Sequence, residues 1–245
     1  MNETDTNSLS LVRAAAERGV AEAQLLYGQM LLEGRLVQRA PSDALHWFER
    51  AAKGGNVMAI NMVGRCLDQG WGVARSPRMA MKWFRKAAEM GLDWGMYNLA
   101  TLLVLGEGDV PEDRVLALYW LRKAIELGHV KSMNIVGGFY EDGWVVEKDL
   151  GQARELYQKA ARGGDFRGQF NYARMLADGG DVVGALFWLK KVPETATPAF
   201  MSKMRRFLMD SPMQALRDYA ATIAESSEET VMSVVSEPTA AGAAF

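Results

Sequence analysis

The chain repeats one short signal at a nearly constant spacing, and this repetition restricts the fold more than any other feature. The signal has the form Ala-Ala-x-x-Gly, with isoleucine for the second alanine in one copy, and its glycines lie 36, 36, 37 and 36 residues apart. These glycines are Gly19, Gly55, Gly91, Gly128 and Gly164. A small residue recurs upstream with the same spacings, at Gly28, Gly64, Ala100, Gly137 and Ala173. A period in this range is typical of supersecondary units that bury their apolar faces by stacking on one another.

Each repeat is predicted to be a pair of helices, A and B. In the second repeat helix A is predicted to run from Val57 to Gln69, with Gly64 at its centre. Glycine inside a helix costs about 1 kcal/mol relative to alanine, so we predict that helix B approaches helix A closely at this point. An aromatic pair is assigned to each helix B: Trp47-Phe48, Trp83-Phe84, Tyr119-Trp120, Leu156-Tyr157 and Phe187-Trp188.

Helix boundaries are marked by residues with known terminal preferences. Helix A is predicted to end at a glycine in the left-handed conformation, which allows the last carbonyls to be hydrogen-bonded: Gly34, Gly70, Gly106, Gly143 and Gly179. Helix B is predicted to start after a residue whose side chain, where it is serine or aspartate, accepts hydrogen bonds from the first turn. The residues at that position are Ala40, Ser76, Asp113, Asp149 and Asp181.

Together these signals predict an all-α fold, a right-handed α-solenoid of αα-hairpin repeats over residues 8–192. Residues 8–19 are expected to form a half-unit cap. About five repeats are expected to follow it, at 20–56, 57–92, 93–129, 130–165 and 166–192. Residues 197–225 are predicted to form capping helices and residues 226–245 a disordered tail. The apolar stretch 231–235 within that tail either docks in a groove, of this chain or of a partner, or belongs to a floppy end.

Composition limits the functional classes. Hydrophobic residues make up 49% of the chain and the net charge is −2, so the body of the chain is predicted to be folded and not built to neutralise phosphates. No apolar run reaches the roughly 20 residues of a membrane span, and the N-terminal residues lack the pattern of a secretory signal. The single cysteine, Cys66, forbids an internal disulfide. A cytoplasmic location is therefore expected.

The repeated residues carry a family resemblance. Residues 132–143 follow the pattern of a first helix with its small residue, aromatic residue and terminal glycine, and the second half continues through Asp149 and Ala153 to residues 157–161. In these features the chain resembles the Sel1-like repeats, relatives of the tetratricopeptide repeat, over residues 8–192. The resemblance implies a curved α-solenoid that binds other proteins, as adaptors do. A cysteine-rich branch of the family has been linked to β-lactam binding, but a chain with one cysteine does not fit it.

Signals for catalysis are weak. The two histidines, His46 and His129, are not spaced as metal ligands or paired with a nucleophile, and Cys66 occupies a slot held by apolar residues in the other repeats. We therefore expect no catalytic residue, no metal and no cofactor. Trp71 and Trp144, each following a loop glycine, are expected to pack on the next repeat, or alternatively to form exposed anchors.

Helix A is expected to line a concave groove and to supply the partner-binding residues. We select positions where the repeats differ in sequence and where arginine and aromatic side chains, which are common at interface hot spots, occur. The selected residues are Asn61, Arg65, Trp94, Tyr97, Lys131, Asn134, Arg167, Phe170 and Arg174. They predict a partner protein or peptide with an apolar anchor and acidic neighbours. Asn61 and Asn134 are expected to hydrogen-bond its backbone, whereas Asn98 and Asn171 are expected to be structural.

The predicted function is a non-enzymatic protein–protein interaction module, an adaptor or scaffold in the cytoplasm. One alternative is an inhibitor, immunity protein or chaperone of a secreted effector. A second alternative, a hydrolase-like enzyme, is disfavoured because no catalytic set is found. Nucleic-acid binding is disfavoured by the net charge, and neither the partner's identity nor the oligomeric state follows from the sequence.

Overall fold

The structure, a computed structural model, describes residues 3–223. Within these residues it contains thirteen α-helices and no β-strand. The helices are α1 (Glu3–Glu17), α2 (Ala21–Glu33), α3 (Pro41–Lys53), α4 (Val57–Gln69), α5 (Pro77–Glu89), α6 (Asp93–Leu105), α7 (Arg114–Glu126), α8 (Val130–Asp142), α9 (Leu150–Arg162), α10 (Phe166–Asp178), α11 (Val182–Leu189), α12 (Pro198–Met209) and α13 (Gln214–Thr222). A short 3-10 turn, Val192–Glu194, follows α11.

The described chain forms two compact units, residues 3–127 and 128–223. In the N-terminal unit α1 precedes three hairpins, α2–α3, α4–α5 and α6–α7. In the C-terminal unit two hairpins, α8–α9 and α10–α11, are followed by α12 and α13. The predicted all-α architecture of αα-hairpins is confirmed, and α4 has the predicted limits.

The glycines of the repeat allow the tight turns between helices. All five glycines of the Ala-Ala-x-x-Gly signal have positive φ, between 84° and 93°. Helix A ends at a left-handed glycine in four hairpins, as predicted. The prediction was wrong at Gly179, where φ is −82°, because the connection to α11 is shortened and the next residue, Gly180, takes the positive φ of 84°.

Close approach of the two helices explains the small residue of helix A. A Cβ on Gly64 would lie 2.6 Å from the ring of Phe84, and one on Gly28 would lie equally close to Phe48. In the C-terminal unit a Cβ on Gly137 would lie 2.7 Å from the ring of Tyr157. Glycine is therefore required where helix B presents an aromatic ring to helix A.

Two of the predicted aromatic pairs were one residue out of register. The residues that occupy the ring position in the third and fifth hairpins are Leu121 and Leu189, both buried, and the small residues of those hairpins are alanines. Tyr119 and Phe187 are instead 50% and 56% exposed. These two hairpins pair an alanine on helix A with a leucine on helix B, where the other hairpins pair a glycine with an aromatic residue. The residues on the two helices therefore vary together in size.

The caps follow the predictions only in part. Asp113, Asp149 and Asp181 each accept a hydrogen bond from the backbone N–H three residues later, at 2.8–3.0 Å. Ser76 makes no such bond, and Pro77 follows it at the first helical position. Helix A of the second hairpin is capped too, because the side-chain oxygen of Asn56 accepts a hydrogen bond from the backbone N–H of Ala59 at 2.9 Å. The sequence prediction had not assigned that role.

Helices α12 and α13 lie where two C-terminal helices were expected, although α13 ends at Thr222. Met204, Leu208 and Leu216 are buried in the same apolar cluster as Leu189 and Val192 of the last hairpin. These helices therefore extend the core of the C-terminal unit. The predicted domain boundaries stay a prediction, and the predicted tail at residues 226–245 lies outside the described residues.

Candidate interaction surface

The nine predicted partner-binding residues fall on four helices. Asn61 and Arg65 lie on α4 and Trp94 and Tyr97 on α6, all in the N-terminal unit. The residues of the C-terminal unit lie on α8 and α10: Lys131, Asn134, Arg167, Phe170 and Arg174. Their burial and bonding separate surface residues from residues that hold the hairpins together.

The aromatic pair of α6 is on the surface. Trp94 is 38% exposed and its ring meets the ring of the half-buried Tyr97 edge to face, with centroids 6.0 Å apart. Gly95 positions this turn, because a Cβ there would lie 2.7 Å from the Cβ of Ala87 at the end of α5. The first turn of α6 is thereby packed against α5, while the neighbouring Trp94 reaches solvent.

Arg65 of α4 is half-buried and has no carboxylate within 4.0 Å among the described residues. Its guanidinium lies 4.9 Å from the ring centroid of Trp71, and one of its nitrogens is 3.7 Å from the sulfur of Met62. Burial lowers the pKa of Arg65 below its ordinary value. Asp68 acts on this charge from beyond that distance, and a partly buried cation without a directly paired carboxylate favours an acidic ligand.

Asn61 and Asn134 are buried and do not present their amides to a groove, contrary to the prediction. The side-chain oxygen of Asn61 accepts a hydrogen bond from Nδ2 of Asn98 at 2.9 Å, which joins α4 to α6. Asn134 accepts from Asn171 in the same way, also at 2.9 Å, joining α8 to α10. These bonds link successive helices A. The two pairs share a separation of 37 residues, and their other members, Asn98 and Asn171, are the asparagines that were expected to be structural.

Arg174, predicted to bind a partner, is already paired within the C-terminal unit. Its guanidinium lies 2.6 Å from the carboxylate of Glu141, which also accepts a hydrogen bond from the hydroxyl of Tyr157 at 2.8 Å. Burial opposes the charge of Glu141, but the hydrogen bonds from Arg174 and Tyr157 outweigh it and hold the pKa of Glu141 below its ordinary value. This cluster ties α8, α9 and α10 together.

Phe170 packs inside the C-terminal unit. Its ring meets those of Phe200 and Phe207 on α12, at centroid distances of 5.6 and 5.3 Å. Arg167 lies with its guanidinium 4.5 Å from the centroid of Phe166. Lys131 is half-buried on α8. Helix α12 covers part of the face that α10 was expected to expose, which a repeat pattern ending at residue 192 did not indicate.

The remaining candidates for chemistry have structural roles or are exposed. Nδ1 of the buried His129 accepts the N–H of Ser132 and caps α8, whereas His46 is exposed on α3. Cys66 is buried, as predicted, and burial raises the pKa of its thiol to about 12, which keeps it protonated at neutral pH. Among residues 3–223 no three His, Cys, Asp or Glu side chains are grouped as metal ligands.

The two loop tryptophans are half-buried and packed. Trp71 packs against an apolar cluster of the N-terminal unit, and the guanidinium of Arg65 lies over its ring. Trp144 packs edge to face on Phe139 of its own hairpin, with centroids 5.8 Å apart. Trp144 therefore contacts the preceding helix A, and the favoured packing on the next repeat stays a prediction for it.

These hairpins, with their left-handed glycines and a small residue facing helix B, define an αα-hairpin repeat protein of the tetratricopeptide-like class. The Sel1 repeat model matches residues 21–56, 57–92, 95–129 and 130–165, more than half of the 245 residues. The chain therefore belongs to the Sel1 repeat family. The matched segments begin with α2 and end just before α10, and the fifth, shortened hairpin is not among them.

Solved structures have the same fold. A Sel1 repeat protein from Oxalobacter formigenes is 26% identical, with a TM-score of 0.70 over 84% of this chain and 89% of that one. A protective antigen of uropathogenic Escherichia coli is 25% identical, with a TM-score of 0.64 over 91% of this chain and 47% of that one. An immunity protein from Pseudomonas aeruginosa is 14% identical, with a TM-score of 0.55 over 89% and 83%. At that identity the likeness concerns the fold alone.

No helix within the described residues is long and apolar enough to cross a membrane.

Proposed function

We propose that this Sel1 repeat protein is a non-enzymatic adaptor or scaffold that binds a partner protein or peptide through the helix A face of its N-terminal unit. Sel1 repeats typically mediate protein binding. The observation that carries the finer proposal is the aromatic–arginine surface, defined as Trp94, Tyr97 and Arg65. It combines the exposed Trp94 and the half-buried Tyr97 with a partly buried cation that has no carboxylate within 4.0 Å among the described residues.

The hydrogen bond between Asn61 and Asn98 brings the parts of this surface together. Tyr97 precedes Asn98 on α6, and Arg65 follows Asn61 by one turn on α4. An apolar side chain of a partner would pack on Trp94 and Tyr97, and a carboxylate beside it would pair with Arg65. Aromatic and arginine residues in such positions often dominate binding energy. Asn61, Asn134, Phe170 and Arg174 are not included in this surface, since each is engaged inside its own unit.

The proposal is tested by affinity purification with quantitative proteomics, followed by binding titrations of each recovered partner. Trp94→Ala and Arg65→Glu are expected to weaken binding by at least about tenfold, the range of an interface hot spot. Tyr119→Ala is the matched control, because Tyr119 is a comparably exposed aromatic residue on helix B of the same unit. Recovery of the same partners at the same affinity by all three variants would refute the proposed surface.

A second candidate is an immunity protein or inhibitor that occludes an effector. Two structures with this fold are immunity proteins of Pseudomonas aeruginosa, at TM-scores of 0.55 and 0.57. Co-expression with toxic effectors encoded beside the gene tests it: rescue of growth that is lost in Trp94→Ala supports occlusion through the same surface. If no neighbouring product is toxic, or if rescue never occurs, the adaptor role stands alone.

The cytoplasmic location belongs to the same proposal. It is supported by the lone buried thiol of Cys66, which neither needs nor uses an oxidising compartment. Cell fractionation of the native protein tests it, and recovery in a periplasmic or secreted fraction would contradict it.

A further inference from the structure

The outer face of α11 exposes apolar side chains that the repeat does not require. Val183 is 82% exposed and Phe187 56% exposed, one turn apart on the same side of the helix. The equivalent positions of α9, in the same unit, are Gly151 and Glu155. In the N-terminal unit, α7 has Val115 and Tyr119 at these positions, 68% and 50% exposed, so the apolar pair recurs once in the repeat. Within the C-terminal unit it is found on α11 and not on α9, and it marks an apolar surface that a further segment can cover.

This face is also basic. Lys191 places its ammonium nitrogen 5.1 Å from the ring centroid of Phe187, and Lys190 is exposed beside it. A shallow cleft of about 480 Å³ runs along the face. It is lined by Val183, Leu186, Phe187, Lys190, Lys191 and Glu194. The occupant that fits is an apolar segment with acidic flanks.

The chain itself contains such a segment. After Ile223 there follow 22 residues with no lysine or arginine and four glutamates, at 225, 228, 229 and 237. Between these glutamates lies the apolar stretch Val231-Met232-Ser233-Val234-Val235. Its pattern of charge and hydrophobicity is complementary to the α11 face.

The described chain ends beside α11. The hydroxyl of Tyr219 on α13 donates a hydrogen bond to the carbonyl of Leu189 at the end of α11, at 3.0 Å. Ile223 packs on the same apolar cluster as Leu189. Eight residues of chain from Ile223 to Val231 can span up to about 26 Å at 3.3 Å per residue, whereas the eight residues of α11 cover only about 12 Å.

We propose that the C-terminal segment, residues 225–237, binds the outer face of α11 of its own chain, with the apolar stretch on Val183 and Phe187 and the glutamates at Lys190 and Lys191. A second cavity of the unit, about 290 Å³ between α10, α12 and α13, fits this segment less well because Asp178 and Asp210 lie at its edge. Any other partner of the α11 face must displace the segment, so the two compete for one surface.

Cysteine cross-linking in the full chain tests this proposal. Val183→Cys with Val234→Cys is compared with Glu155→Cys with Val234→Cys, in which the first cysteine occupies the exposed helix B position of α9. Cys66 is left in place because it is buried. A bound segment should form the intramolecular disulfide about tenfold faster with Val183→Cys than the control, since docking raises the effective concentration above that of a free tether. Both exposed positions lie outside the core, so folding is not at stake.

Charge reversal gives the second readout. The double substitution Lys190→Glu and Lys191→Glu should slow cross-linking at Val183→Cys to the rate of the Glu155→Cys control. Adding Glu228→Lys and Glu229→Lys to that variant should restore the faster rate. Equal cross-linking rates at Val183→Cys and Glu155→Cys would overturn the proposal. A disulfide that forms only between two chains, and that depends on protein concentration, would also overturn it, since the segment would then bind a second copy.

Discussion

The two units place an arginine at the same position of helix A and use it differently. Arg65 and Arg174 each follow the central small residue of their helix, Gly64 and Ala173. In the C-terminal unit Arg174 pairs with Glu141 at 2.6 Å and contributes to packing between hairpins. In the N-terminal unit Arg65 lies on Trp71 with no carboxylate within 4.0 Å in the described chain. The same residue type at one repeat position can thus serve stability in one unit and remain available for binding in the other.

The largest expected effect comes from the helix contact that both units share. Gly64→Val and Gly137→Val put side-chain atoms where a Cβ alone would lie 2.6–2.7 Å from a ring, and each should destabilise its unit by about 3 kcal/mol, the upper range for overpacking. Chemical denaturation measures the cost. Gly64→Ala combined with Phe84→Leu should recover most of the loss of Gly64→Ala alone, because alanine with leucine is the native pair in α6–α7. A strictly additive double mutant would show that the two sizes are not coupled.

The next effect should separate the units. Glu141→Gln removes the close partner of the half-buried Arg174 and leaves it only the longer contact with Asp178, at 4.0 Å. The expected loss of stability is about 2 kcal/mol, below that of a fully buried pair because both side chains are partly exposed. Arg65→Met removes no ion pair within the described chain and should cost less than about 1 kcal/mol. Urea unfolding of both variants gives the comparison, and equal losses would mean that the two arginines do not differ in role.

A smaller effect is expected at the asparagine pairs. Asn134→Ala leaves the buried amide of Asn171 without its acceptor and should cost about 1–2 kcal/mol. Asn61→Ala should cost less, because Asn98 is only half-buried and can be hydrated. Thermal unfolding measures both, with Gln29→Ala, a half-buried helix A residue for which no such bond is found in the described chain, as the control. A larger loss for Asn61→Ala would reverse the inferred ranking.

The smallest effect is the pH dependence that Glu141 gives to the C-terminal unit. Since the pKa of Glu141 is lowered in the folded state, its stabilising contribution is present above its ordinary value of 4.5 and is lost as pH falls through the folded value. Stability should therefore decline below about pH 4.5 more steeply in the native chain than in Glu141→Gln. Unfolding free energies measured from pH 6 to pH 3 test this, and parallel curves for the two proteins would contradict it.

The repeat made the hairpins predictable, because helix ends, caps and the small residue depend on residues close in sequence. The aromatic pairs at Tyr119 and Phe187 were placed one residue too early because they were assigned by aromatic residue type. Counting from the helix B alanine would have selected Leu121 and Leu189. The bonding of the site residues was not predictable in the same way, because it depends on pairs one repeat apart. Asn61 is hydrogen-bonded to Asn98. Arg174 is paired with Glu141, which lies at a different position of the preceding helix A.

The fit between helix A and helix B has a consequence for how such a chain can grow. Gly64 and Phe84, like Gly137 and Tyr157, match each other inside a single hairpin. A duplicated segment of about one repeat therefore inherits both halves of its own internal fit and needs no compensating mutation elsewhere to keep it. Gene duplication can add or remove whole hairpins while selection reshapes only the side chains that face a partner. The shortened fifth hairpin, where Ala173 accompanies Leu189, shows that the matched pair can be kept even when the connection between its helices changes length.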